Sequence, residues 1–71
     1  MKKVYEYIGY KMYQVNDRGT YMVLNNLDYP VVILQYNPES KFVFSFETLT
    51  DYNYENQTCV DKLISLLKKG K

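Results

Sequence analysis

YPVVILQYNPESKFVFSFE, residues 29–47, decides the fold. Asn37 and Pro38 are strong turn residues with a β-rich run on each side. Phe42, Phe44 and Phe46 alternate strictly with Lys41, Val43, Ser45 and Glu47, and a period of two marks a strand with one buried face. The stretch reads as a hairpin, with strands over 31–36 and 41–47 and a turn at 37–40. With Tyr36 opposite Lys41, Ile33 faces Phe44 and Val31 faces Phe46, and opposed residues share a side of the sheet. This register predicts the phenylalanine stripe as core and puts Val32, Leu34, Tyr36 and Val43 on the other side. A slip of one residue would exchange the two faces.

Upstream, KVYEYIGYKMYQV, residues 3–15, carries Tyr5, Tyr7, Tyr10 and Tyr13 and reads as one long strand. Gly9 within it marks a bulge, which switches the side-chain parity. NDRG, residues 16–19, reads as a turn in which Gly19 takes a left-handed bulge position. That turn pairs Val15 with Tyr21, Tyr13 with Val23 and Met12 with Leu24. One face then carries Tyr10, Met12, Met22 and Leu24, the other Tyr13, Val15, Tyr21 and Val23. The second strand covers 20–26. LNNLDYP, residues 24–30, reads as a turn or short loop, where Pro30 cannot donate a ladder hydrogen bond.

Downstream, Val60, Leu63, Ile64 and Leu67 fall on one face of a helix. Thr58 followed by Asp61 resembles a capping box. Lys68 and Lys69 suit the negative end of the helix dipole, and Gly70 is a natural stop. The helix is predicted over 57–69, and residues 48–57 are open between loop and a further helical turn. The expected fold class is α+β: one domain over 1–71, with a four-stranded, mostly antiparallel sheet of two hairpins packed on one C-terminal helix. The phenylalanine stripe is expected to meet the helix.

Composition narrows the function. At 71 residues the chain makes one domain and buries only a thin core, for which oligomerisation is a common remedy. The net charge of +1 is not the strongly basic balance of a typical DNA-binding domain. Cys59 is the single cysteine, so no internal disulfide is available, and it reads as a small core residue. A lone thiol fits a reducing compartment, and the cytoplasm is the expected address. Histidine, alanine and tryptophan are absent, while lysine, asparagine and tyrosine are abundant. That bias points to an AT-rich genome, such as that of a low-GC bacterium or its phage. With no histidine, scattered carboxylates, no phosphate loop and no metal spacing, no enzyme, cofactor or metal is expected.

One helix covers one side of a sheet, and the other side should be polar if it faces water. Here both sides read as apolar. The expected function is therefore a non-enzymatic protein-interaction module. It would associate with itself as a homodimer or with a host protein, as an inhibitor such as an anti-defence protein does. Tyr13, Tyr21, Tyr36, Val23 and Leu34 are the expected contacts, because tyrosine buries a large ring yet keeps a hydroxyl to hydrogen-bond. The alternative is single-stranded nucleic-acid binding, with sheet-face tyrosines stacking bases and Lys2, Lys3, Lys11 and Arg18, together with Lys41, following the backbone.

Overall fold

The computed structural model describes residues 1–49 and 52–70. It is an α+β fold: a five-stranded antiparallel sheet packed against one C-terminal helix. The elements run β1 (Lys2–Tyr7), β2 (Tyr10–Gln14), β3 (Thr20–Leu24), β4 (Pro30–Asn37), β5 (Phe42–Thr48) and α1 (Tyr54–Lys69). Strand order in the sheet is the order in the chain.

The fifth strand comes from Ile8 and Gly9. Both have positive φ, 48° and 82°, and Tyr7 pairs with Tyr10 across them. This is a two-residue hairpin turn of the I′ kind, not a bulge in one long strand. The parity-switching bulge lies at Val4, between Lys3 and Tyr5. Ile8 hides the turn from a sequence reading, because a β-branched residue seldom takes the left-handed region. It is also 71% exposed, so it gains little by packing. Ile8→Asn creates Asn-Gly, the pair best suited to this turn, and is expected to raise stability by about 1 kcal/mol. A urea midpoint that moves up at unchanged slope checks this, and a lower midpoint would overturn it.

Asparagine side chains organise the other turns. The Asn16 Oδ1 accepts from the N–H of Arg18 at 2.8 Å and of Thr20 at 3.3 Å. Asn25 repeats the pattern with Leu27 at 2.8 Å and Tyr29 at 3.0 Å. Asn37 accepts from Glu39 at 2.9 Å. Such side chains mimic a backbone turn. Taking Asn16 into the turn lengthens the loop by one residue over the expected register. Tyr13 therefore pairs with Met22 and Met12 with Val23. In the next hairpin Leu34 pairs with Phe46 and Tyr36 with Val43, and Phe44 is left opposite no residue, as a bulge.

These shifts invert the expected faces. The side facing α1 carries Tyr10, Met12, Val23, Val32, Leu34 and Tyr36, all buried, where Val32, Leu34 and Tyr36 were expected on the uncovered side. They meet Cys59, Val60, Leu63 and Leu67 of the helix in one core. The phenylalanine stripe is not the core. Phe42, Phe44 and Phe46 are 61%, 57% and 44% exposed.

Width explains why the phenylalanines stay exposed. A helix with its side chains is about 10–12 Å across, and five strands spaced about 4.8 Å apart span roughly 20 Å. One helix covers about half of such a sheet. It lies over β1 and β2, the strands its backbone approaches. β5 sits at the far side of the sheet and adds the half-buried Val43 to the packing around the core.

The helix starts at Tyr54, before the expected residue 57, and its N-cap is Asn53, not Thr58. The Asn53 Oδ1 accepts from the Asn56 N–H at 2.8 Å, while the Thr58 hydroxyl bonds back to the Tyr54 carbonyl at 3.2 Å. The open stretch 48–57 thus ends in a helical turn, and its residues 50 and 51 lie outside the described residues. Asn56 is buried and its Oδ1 accepts from the Tyr10 hydroxyl, which ties the first helical turn to β2. No helix among the described residues is long and apolar enough to cross a membrane.

Candidate interaction surface

The sheet has two edges of opposite character. β1, KKVYEY, carries Lys2, Lys3 and Glu6, has a bulge at Val4, and lies under the helix. Charge and bulges are the devices that keep an edge from pairing with another chain. β5, FVFSFET, is seven residues long and has one charged residue, Glu47. Among the described residues its outer side pairs with no strand, since β5 ends the sheet.

The hydrogen-bonding direction along β5 follows from one bond. The Leu49 N–H donates to the Val31 carbonyl at 2.8 Å. Backbone groups in a strand alternate sides, so Glu47 and Ser45 turn theirs toward β4. Phe46 and Thr48 turn theirs to the open edge. The phenylalanine rings flank these groups. Phe46 lies edge-on to Tyr52 at 6.2 Å between ring centroids, and Phe42 and Phe44 are exposed.

The residues expected as contacts scatter. Val23, Leu34 and Tyr36 are 0%, 1% and 5% exposed, so they hold the core and form no free surface. Tyr21 is half-buried on the helix side, edge-on to Tyr36 at 6.5 Å. Tyr13 alone lies on the outer face, half-buried in a row with Met22 and Ile33. The expected cations scatter as well. Lys3 pairs with Glu6 at 3.0 Å and Lys11 with Asp28 at 2.7 Å. These pairs hold the Glu6 carboxyl below its ordinary range and push the Lys11 ammonium up. Lys2 sits on the β1 edge, and Arg18 is exposed in the β2–β3 turn.

The titratable side chains inside the fold behave as structural groups. Burial pushes the phenols of Tyr10, Tyr21 and Tyr52 above their usual value. It does the same to the buried Cys59 thiol, with Glu55 adding to the effect. Among the described residues, no group of three or more histidine, cysteine, aspartate or glutamate side chains gathers to hold a metal.

Sequence reasoning missed the β5 edge, although two signals mark it. Residues 31–34 are apolar at every position, as a central strand is, whereas Lys41, Ser45 and Glu47 interrupt the phenylalanines. The helix also offers too narrow an apolar stripe to cover a whole sheet.

Fold and surface together define a small α+β domain with one open aromatic edge. No family model, curated protein or solved structure matches the chain.

Proposed function

We propose that the protein is a non-catalytic interaction module that associates through the open edge of β5, with a second copy of itself as the partner. The observation that carries this reading is a seven-residue edge strand with Phe42, Phe44 and Phe46 exposed along it. Unprotected hydrophobic edges are templates for strand addition. An antiparallel strand can pair with its own copy about a two-fold axis, so that every contact is made twice. Phe46 and Thr48 would supply the backbone bonds, and the rings would supply apolar burial. A thin core also favours association as a source of stability.

Thr48→Pro tests the reading. Thr48 is exposed and its N–H points away from β4, so proline there removes an edge donor and spares the internal ladder. Light scattering on a sizing column is expected to show twice the 8.5 kDa chain mass for the parent. Thr48→Pro is expected at single-chain mass with an unchanged circular dichroism spectrum. A parent that stays at single-chain mass throughout a concentration series would sink the proposal.

A further inference from the structure

At the end of the sheet where α1 finishes, two open chambers adjoin. The first, about 400 Å³, is walled by Tyr5, Tyr21, Tyr36, Lys41, Lys68 and Lys69, together with Pro38 and the end of the helix. No carboxylate lines it among the described residues. The second, about 390 Å³, shares Tyr21, Tyr36 and Pro38 and adds Gln14, Asn37, Arg18, Asp17 and Phe44. Together they form one trough floored by the Tyr21–Tyr36 pair.

The walls divide the chemistry. The first chamber is lined by three lysines and three tyrosines from the β4–β5 turn, the helix end and three strands. Such a set takes an oxyanion. In the second, the Phe44 ring is 57% exposed and offers a stacking face, and the amides of Gln14 and Asn37 can both donate and accept. Lys41 reaches its place because the turn puts it at φ 56°. Lys41, Lys68 and Lys69 line the first chamber, and Arg18, with Asp17 beside it in sequence, lines the second.

We propose that this trough binds single-stranded nucleic acid, seating a phosphate among Lys41, Lys68 and Lys69 and stacking a neighbouring base on Phe44. A basic groove with aromatic platforms is what sequence-tolerant single-strand binding requires. Of the cations expected from sequence to follow a backbone, Arg18 and Lys41 line the trough. Phe44 borders both this surface and the β5 edge, so association through β5 and base stacking compete for its ring.

The test is fluorescence anisotropy with a short labelled oligothymidylate, titrated at several salt concentrations. Inorganic phosphate and thymidine monophosphate serve as competitors. Binding is expected to weaken with salt by a logarithmic slope of about 0.7 for each phosphate held. The double variant Lys68→Glu/Lys69→Glu is expected to lower that slope and to weaken binding by roughly tenfold or more. Phe44→Ala is expected to weaken it by roughly tenfold with the salt slope unchanged. Lys62→Gln, on the helix beside Tyr7, serves as the control and is expected to bind as the parent does. Thr48→Pro leaves both chambers intact and is expected to bind, which separates this proposal from association through β5. No binding at low salt, or binding indifferent to Lys68, Lys69 and Phe44, would overturn it. So would competition by inorganic phosphate as effective as that by the mononucleotide, since the base would then contribute nothing.

Discussion

Leu34→Ala is expected to cost about 2–5 kcal/mol, the range for a buried leucine, whereas Phe44→Ala is expected to cost less than about 1 kcal/mol. Leu34 is 1% exposed at the centre of the sheet, opposite Tyr21 on one side and Phe46 on the other. Its removal leaves a cavity in the core cluster that also holds Leu63, Val23 and Val32. Phe44 occupies the bulge in the edge strand and leaves no hole behind it. At about 0.05–0.15 kcal/mol per residue, a chain of this length holds roughly 4–11 kcal/mol in total. The leucine truncation therefore removes a large share of the stability. Urea unfolding of both variants at low protein concentration gives the comparison. A reversed order would return the phenylalanine stripe to the core and exchange the two faces of the sheet.

Gly19→Ala is the second large effect expected, a loss of about 2–3 kcal/mol. Gly19 has φ 90°, in the left-handed region. A Cβ there would stand 2.3 Å from the Tyr36 carbonyl oxygen. The Tyr36 N–H also donates to the Gly19 carbonyl at 2.8 Å, so the first turn is sewn to β4 at that point. Alanine adds backbone strain and pushes this bond apart. Because Tyr36 floors the trough, the same change should alter its near-ultraviolet circular dichroism before global unfolding. A loss below about 0.5 kcal/mol would mean the turn can move away from β4 freely.

The fold class was legible in the sequence because it rests on periodicity. Phe42, Phe44 and Phe46 declare a strand by their spacing, and Val60, Leu63 and Leu67 declare a helix. What periodicity does not supply is the choice between two faces. That choice turns on loop length, and loop length turned on whether the Asn16 side chain counts as strand or turn. Its two hydrogen bonds to Arg18 and Thr20 put it in the turn, so Val23 moved to the side of Met12 while Tyr13 kept the outer face. The β1–β2 turn was hidden for a different reason. Ile8 carries no local preference for the conformation it holds, so only the pairing of Tyr7 with Tyr10 reveals it. The candidate surfaces were harder still. Lys68 and Lys69 read along the chain as partners of the helix dipole. Only the folded chain brings Lys41 beside them.

The order of the sheet also shapes how the chain acquires its fold. Each strand pairs with its neighbour in sequence across a short loop, so closing any hairpin costs little chain entropy. The one long return is α1, which travels from the end of the chain to lie on β1 and β2. Hairpin formation is thus local and quick, while sealing the core waits for the helix. During synthesis at roughly 5–20 residues per second, about 1–4 s separate the appearance of Thr48 from that of Leu67. Until the helix docks, the paired strands leave Met12, Val23 and Leu34 facing water. The nascent chain then shows two apolar surfaces at once, the unsealed core and the β5 edge, and the arrival of the last helix removes one of them.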